Sequence, residues 1–265
     1  RGRGEAVGWR DALEAVAREI RGRRPEEVYV AISGRVTNED ALALVRLALA
    51  VIGTPNVDNA SARVCHSSTV GAIGRIFGIP ASTGKLDDVD GLDLLLLAGT
   101  NPAVDYPPMY VRISRARARG MRVIYLGSVY AETARSADVA LLVRPGGEAA
   151  VLNYIAREVL EFVPPPDAPG LEEYLRWISG YDRGRAEAAL MDGDLGRAVE
   201  LVVASSRMGV ASGMGLAHGP GGGAARPALY DLALLQGAGV LTMGGLGNVQ
   251  GGGDRGGGPG PRRCR

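Results

Sequence analysis

The chain is poor in the residues that build disulfide frameworks and metal centres. Among its 265 residues there are two cysteines, Cys65 and Cys264, and two histidines, His66 and His218. Two cysteines do not make a disulfide framework, so a reducing cytoplasm is the default expectation. A structural zinc ion needs four ligands, and this cysteine and histidine inventory is too small to favour one.

The chain also lacks extremes of charge and hydropathy. Its formal net charge is +1 and 46% of its residues are hydrophobic, which indicates a soluble globular protein with no tendency towards nucleic acid or membrane surfaces. The longest apolar run surrounds Leu94–Leu97 and suits a buried strand, being too short to span a bilayer. The first ten residues lack the apolar core of a signal peptide.

Short apolar strands alternate with amphipathic helices along most of the chain. Strands are predicted at 27–32, 92–98, 122–126, 139–143 and 207–211. The strand at 92–98 reads LDLLLLA, which is typical of a parallel strand buried on both faces. The pattern predicts a doubly wound α/β fold that binds its ligand where loops leave the carboxyl ends of the strands.

The end of the chain is rich in glycine. Between Gly237 and Gly260, 12 residues are glycine. Such a composition cannot supply a core, so this segment is expected to be a loop around a cofactor or a disordered tail.

A cysteine and a histidine stand side by side in the stretch NVDNASARVCHSSTVG at 56–71. Three interpretations of Cys65 and His66 are open. A buried free cysteine is common and inert, a thiolate nucleophile assisted by the histidine is a second interpretation, and a ligand to a soft metal is the third. Spacing alone favours the first of these.

Three loops change the balance between these interpretations. The segments GTNP, LGSVYAET and RPGGE each follow a predicted strand. Backbone N–H groups and helix N-termini are exposed at such positions and suit phosphate groups. Each loop alone is weak evidence, because glycine and proline after a strand often make only a turn. Together they favour a ligand that carries a nucleotide.

Five motifs extend this picture: NVDNASARVCHSSTVG, GTNPAVDYP, ETARSADVALLVRPGGEAAVLN, GMGLAHG and GNVQGGGDRG. In this order they resemble the molybdopterin oxidoreductases of the dimethyl-sulfoxide-reductase superfamily, above all the catalytic subunit of formate dehydrogenases. The resemblance covers about residues 9–256, and the chain looks truncated relative to that family.

The resemblance implies an oxidoreductase with molybdenum or tungsten held by two molybdopterin guanine dinucleotides. Cys65 would be the metal ligand and His66 the acceptor of the proton from formate or a similar small substrate. The resemblance also implies an iron–sulfur or electron-transfer partner subunit. It places the dinucleotides on Gly99, Thr100, Asn101, Gly127, Ser128, Arg144, Gly146, Gly213, Met214, Gly215, His218 and Asn248.

The family's fold implies two Rossmann-like domains with doubly wound parallel sheets. The first is expected to be discontinuous and incomplete, made of residues 1–62 and 246–265. The second, at 63–245, is expected to be the domain that binds the pterin dinucleotide.

The chain departs from the family's pattern at several positions. It lacks the usual N-terminal cysteine cluster, so no iron–sulfur cluster is expected within it, and it lacks the C-terminal cap domain. Gly127-Ser128-Val129 stands in place of Asp-Pro-Arg, Gly244-Gly245-Leu246 in place of Arg-Gly-Gln, and His218 in place of a glutamine. Without the arginine at 244 a charged substrate would lack its counter-charge, so efficient formate oxidation is not expected.

These departures leave a second hypothesis from another functional class. The chain would then be a structural subunit of a respiratory redox complex, without cofactor, like the large iron–sulfur subunit of NADH:quinone oxidoreductase. A tungsten subunit similar to formylmethanofuran dehydrogenase ranks lower, because the NVQGGGD segment is closer to formate dehydrogenase.

Overall fold

A computed structural model describes residues 4, 6–59, 67–220 and 222–253. The chain divides into two compact units, Arg1–Val64 with Leu246–Arg265, and Cys65–Gly245. The elements are, in chain order, α1 (Trp9–Arg21), β1 (Val30–Ile32), α2 (Asn38–Arg46), β2 (Val57–Asn59), α3 (Ser67–Phe77), β3 (Leu94–Ala98), α4 (Pro102–Asp105), α5 (Pro107–Ala118), β4 (Arg122–Gly127), α6 (Glu132–Ser136), β5 (Val139–Val143), α7 (Glu148–Val159), α8 (Leu171–Ile178), α9 (Arg183–Ala189), β6 (Leu190–Asp192), α10 (Leu195–Ala204), β7 (Met208–Ser212), α11 (Gly215–His218), α12 (Gly222–Leu235), β8 (Gly239–Thr242) and α13 (Val249–Gly252).

The smaller unit contains a two-stranded parallel sheet, β1 and β2. Helix α2 begins where the sequence places a capping residue: the Thr37 hydroxyl accepts a hydrogen bond from the backbone of Asp40 at 3.2 Å, as N-cap residues do. Helix α13 packs against α2, and the Asn248 backbone donates to the carbonyl of Gly34 at 2.8 Å. Segments that are far apart in the chain, residues 34–46 and 248–252, therefore pack together within this unit.

The larger unit is built on a six-stranded sheet with the order β6-β5-β4-β3-β7-β8. Strands β5, β4, β3, β7 and β8 are parallel, and only the short edge strand β6 runs antiparallel. The predicted α/β class and doubly wound parallel sheet are confirmed in this unit. Strand β3, the apolar run of the sequence, lies between β4 and β7 in the interior of the sheet.

Strand β3 faces two separate cores because successive side chains point to opposite faces of a sheet. Leu94 and Leu96 pack into the core shared with helices α3, α7 and α12. Leu95 and Leu97 pack into the core shared with α5. All four are at most 1% exposed, and each buried leucine contributes roughly 2 kcal/mol of transfer free energy.

The expectation that the glycine-rich end supplies no core is wrong for its first part. Residues Gly239–Thr242 form β8 and pair with β7, and Val240 is 0% exposed. Segment 82–84 covers the outer edge of β8, where the hydroxyls of Thr83 and Ser82 accept from the backbones of Val240 and Thr242 at 2.9 and 3.0 Å. Four residues suffice for a strand. The high glycine content of the whole segment 237–260 does not reveal so short an apolar stretch.

Within the described ranges, no helix is both long and apolar enough to cross a membrane.

Candidate functional site

A pocket lies where four neighbouring parallel strands end. Its volume is about 570 Å³, within the usual range for small-molecule and cofactor sites. The loops that follow β3, β4, β7 and β8 form its walls, and the start of α7 contributes Glu148. This is the edge of a doubly wound sheet at which ligands bind.

Eight of the twelve residues predicted to bind the cofactor line this single pocket. They are Gly99, Thr100, Asn101, Gly127, Ser128, Gly213, Met214 and Gly215. They come from three loops that are separated by up to 116 residues in the chain but adjacent in the sheet, because β4, β3 and β7 are neighbours.

The other four predicted residues do not line this pocket. The Arg144 guanidinium donates to the Ala188 carbonyl at 3.3 Å, and the Gly146 backbone donates to the Glu148 carboxylate at 2.9 Å. His218 ends helix α11. Asn248 belongs to the smaller unit.

Glycine is required where the loops after β3 and β7 touch. A β-carbon added at Gly213 would lie 2.4 Å from the Gly99 carbonyl oxygen, and one added at Gly215 would lie 2.8 Å from the same atom. The Gly215 backbone donates to this oxygen at 2.9 Å. The glycines of the GTNP and GMG motifs therefore let two backbones pack directly at the pocket floor.

Several backbone N–H groups at the pocket are available to a ligand. Those of Thr100, Asn101, Ser128, Met214 and Gly244 donate to no other described residue, and all five residues line the pocket. Backbone N–H groups beside strand ends that lack a partner in the protein suit anions such as phosphate.

The ionisable side chains of the pocket are acidic. Asp105 and Glu148 line it, and none of the described lining residues is a lysine, arginine or histidine. Glu148 is 6% exposed and is held by the Gly146 backbone at 2.9 Å and the Ser128 hydroxyl at 3.3 Å. Carboxylates only accept hydrogen bonds when ionised, so they suit the amino and hydroxyl donors of a base or sugar.

Two tyrosines, Tyr106 and Tyr125, also line the pocket. The Tyr125 hydroxyl donates to the Val129 carbonyl at 2.9 Å, and burial raises the pKa of this tyrosine. Burial, with the nearby Asp105 carboxylate, also raises the pKa of Tyr106. Both side chains therefore stay neutral donors over the physiological pH range.

The side-chain oxygen of Asn101 accepts hydrogen bonds from within the protein. Its oxygen accepts from both the backbone and the hydroxyl of Thr133, at 3.2 and 2.6 Å. The Thr133 hydroxyl in turn accepts from the Ala103 backbone at 3.2 Å. Through this side-chain oxygen, Asn101 fixes the loop after β3 against helix α6.

The smaller unit has its own cavity, of about 480 Å³, at the carboxyl end of β1. Its lining is Gly34, Arg35, Val36, Thr37, Asn38, Gly247 and Asn248. The Asn248 amide donates to the Val36 carbonyl at 2.9 Å and to the Asn38 side chain at 3.1 Å. Asn248 is therefore the one predicted cofactor residue at this second cavity.

The predicted metal ligand and proton acceptor, Cys65 and His66, lie outside the described residues. Within the described ranges no group of three or more histidine, cysteine, aspartate or glutamate side chains could hold a metal ion.

Sequence reasoning missed part of the pocket lining, notably Asp105, Tyr106, Glu148 and Met243. Glu148 is the last residue of the RPGGE segment and the first residue of a helix. Asp105 and Tyr106 lie within the GTNPAVDYP motif, so the loop argument could have included all three. Met243 follows β8, which was not predicted.

Comparison with known proteins agrees with these motifs. The family model described as molybdopterin oxidoreductase matches residues 1–258. Formate dehydrogenase 1 subunit alpha of Methanococcus maripaludis is 38% identical over 154 residues, which are 57% of this chain and 23% of that protein. Assimilatory nitrate reductase of Haloferax mediterranei is 39% identical over 163 residues, 60% of this chain and 23% of that protein.

A solved structure shows the same fold. Acetylene hydratase from Pelobacter acetylenicus superposes with a TM-score of 0.69 at 18% identity, covering 88% of this chain and 33% of that one. The matched residues cover about a quarter of the length of each of these two curated relatives. Because the family model matches nearly all of these 265 residues, the chain belongs to the molybdopterin oxidoreductase family.

Proposed function

We propose that the chain is the cofactor-binding part of a molybdenum or tungsten oxidoreductase of formate-dehydrogenase type. In this proposal two molybdopterin guanine dinucleotides bind to it, one of them in the 570 Å³ pocket of the larger unit. Cys65 ligates the metal, and His66 accepts the proton that leaves the substrate. The two-electron oxidation of formate or a similar small molecule is the proposed reaction.

The observation that carries the proposal is the donor set of the pocket. The N–H groups that donate to no other described residue lie on the four loops after β3, β4, β7 and β8, and such groups suit a diphosphate. The Glu148 carboxylate suits the N–H donors of a guanine edge. The residues present therefore fit a purine dinucleotide.

Cys65 and His66 would have different roles in the reaction. The Cys65 thiolate is a soft ligand, suited to a heavy transition metal. The neutral imidazole of His66 would be the group that takes up the proton. The metal and its pterins, when bound, supply the acceptor of the electron pair.

In this proposal the chain works together with a further subunit or domain. Two cysteines cannot bind an iron–sulfur cluster of the usual four-cysteine kind, so electrons leave these 265 residues through a further subunit or domain that carries such centres. A relative named as a subunit alpha supports this arrangement. We place the protein in the cytoplasm, and we propose the domain limits 1–62 with 246–265, and 63–245.

Metal and nucleotide analysis tests the proposal. The chain is purified from hosts supplied with molybdate or tungstate, its metal is measured by mass spectrometry, and GMP is released from it by acid. Stoichiometric metal with two GMP per chain is expected. Cys65→Ser should lose the metal and keep much of the nucleotide, whereas the matched Cys264→Ser should keep both. A wild-type chain with neither metal nor GMP from either host contradicts the proposal.

One observation favours the structural-subunit alternative. The described pocket lining offers no cationic side chain, and Gly244 stands where the resemblance expects the substrate-orienting arginine. If Cys65→Ser leaves assembly and electron transfer with the partner subunit unchanged, this second candidate replaces the first.

A further inference from the structure

Helix α12 carries a buried arginine next to the pocket but outside its lining. Arg226 is 1% exposed and is among the largest fully buried side chains of the chain. Burying a guanidinium is unfavourable unless its N–H groups find acceptors. The groups that accept hydrogen bonds from Arg226 therefore indicate its role in the structure.

Two of these acceptors belong to elements that matter for the site. One terminal nitrogen donates to the Thr69 hydroxyl in the first turn of α3. The other donates to the Gly213 carbonyl at 3.0 Å. The guanidinium is planar and its donors have fixed directions, so it sets the position of the Gly213 carbonyl relative to α3.

The Gly213 carbonyl shares a peptide plane with the Met214 N–H. In a trans peptide these two groups point in opposite directions. Met214 lines the pocket, and its N–H donates to no other described residue. A bond from Arg226 to the carbonyl thus directs this N–H away from the arginine.

The same bond also changes the strength of the Met214 N–H as a donor. A cation that donates to a carbonyl oxygen polarises the amide, and hydrogen bonds in series strengthen one another in a low-dielectric interior. The rest of the loop is held from the other side, because the Gly213 backbone donates to the Ala98 carbonyl at 3.0 Å. Gly213 is therefore held through both its carbonyl and its N–H.

We propose that Arg226 is a positioning residue for an anionic ligand, acting through the Gly213–Met214 peptide. It orients and polarises the Met214 N–H towards a phosphate oxygen without touching the ligand. The inference rests on the proposed function, because the phosphate is that of the guanine dinucleotide. Helix α3 starts two residues after Cys65, so the same side chain links the phosphate-binding loop to the helix that follows the proposed metal ligand.

GDP serves as the probe, since it reproduces the guanine nucleotide half of the cofactor. Its binding to the purified full chain is measured by calorimetry, and the Met214 amide is followed by NMR. The wild type should bind GDP with a downfield shift of the Met214 amide. Arg226→Met should weaken binding at least tenfold and abolish the shift, and Arg226→Lys, which keeps one donor and the charge, should fall between.

Two variants act as matched controls. Tyr230→Phe removes the buried 2.8 Å bond between Tyr230 and Ser212, on the same helix and next to the same loop, and should change GDP affinity less than twofold. Thr69→Val removes only the hydrogen bond between Arg226 and helix α3. In this variant GDP should still shift the Met214 amide signal. Circular dichroism checks that each variant folds.

The outcomes separate the two proposals. If the wild type binds GDP and a folded Arg226→Met binds it equally well, the inference is overturned and the proposed function stands. If Arg226→Met does not fold, an Arg226→Lys variant with wild-type affinity and shift overturns the inference in the same way. If the wild type binds neither GDP nor the pterin dinucleotide, the proposed function fails and this inference fails with it.

Discussion

The backbone nitrogen of Leu216 lies 2.5 Å from the position that a β-carbon would take at Gly99. Gly99 also has a φ of +61°, in the left-handed region that favours glycine. Two independent constraints thus require glycine at the end of β3, where the loops after β3 and β7 meet. The first prediction follows from this contact.

Gly99→Ala should destabilise the larger unit by about 3 kcal/mol, combining left-handed strain with a backbone clash. Urea denaturation measures the change. Gly78→Ala is the matched control, because Gly78 has a φ of +76° and nothing within 4 Å of its added β-carbon. That control should cost about 1 kcal/mol from strain alone. Equal losses for the two variants would contradict the clash.

The hydroxyl of Thr83 helps to hold segment 82–84 against the outer edge of strand β8. Thr83→Val keeps the shape of the side chain but removes the acceptor for the Val240 N–H, so we expect a loss of about 1 kcal/mol. Hydrogen exchange at Val240 should accelerate, while exchange in β3 stays unchanged. Thr83→Ser retains the oxygen and should behave as the wild type; if it exchanges like the valine variant, the hydroxyl is not the cause.

A largely buried carboxyl should make stability depend on pH. Burial raises the pKa of Asp231 to about 6, and this carboxylate adds to the larger effect of burial in raising the pKa of Tyr174. The unfolded value is about 3.9, so between the two values the folded state holds a proton that the unfolded state has lost. Stability therefore decreases as pH rises from about 4 to 6, and the full penalty remains above 6.

Asp231→Asn should remove this penalty. At pH 7.5 the free energy of unfolding should rise by on the order of 2 kcal/mol, and the gain should shrink as pH falls towards 4. Denaturation curves between pH 5 and 7.5 measure it, with the exposed Glu161→Gln as the control that changes nothing. A gain that is the same at every pH would point to packing rather than ionisation.

An arginine placed at the rim of the pocket should strengthen binding of the proposed dinucleotide. Val129 lines its rim and is 68% exposed, at the position where the family resemblance expects an arginine. Val129→Arg should slow dissociation of the proposed dinucleotide several-fold at low ionic strength, because phosphate–arginine pairs are strong and screened by salt. Val129→Gln adds similar size without charge and should have little effect. Dissociation independent of salt in the arginine variant would contradict the prediction.

The order of elements could be predicted largely from the sequence. The LLLL run of β3 and the strands at 122–126 and 139–143 carry local patterns of apolar residues. The glycine loops carry motifs that do not depend on the rest of the chain. Strands β2 and β6 have three residues each, too few for a periodic pattern, and β8 lay hidden in a glycine-rich segment.

By itself, then, the sequence determined the α/β class, the loops that carry the family motifs and the family to which the chain belongs, because these depend on short patterns and on residue identity. Only the tertiary structure decided that the loops at 99–101 and 213–215 share one pocket floor, since the position of β7 beside β3 results from packing between distant segments. It also decided that Glu148 enters that pocket and that Arg226 holds the Gly213 carbonyl. Such contacts join residues far apart in the chain, and no local pattern encodes them.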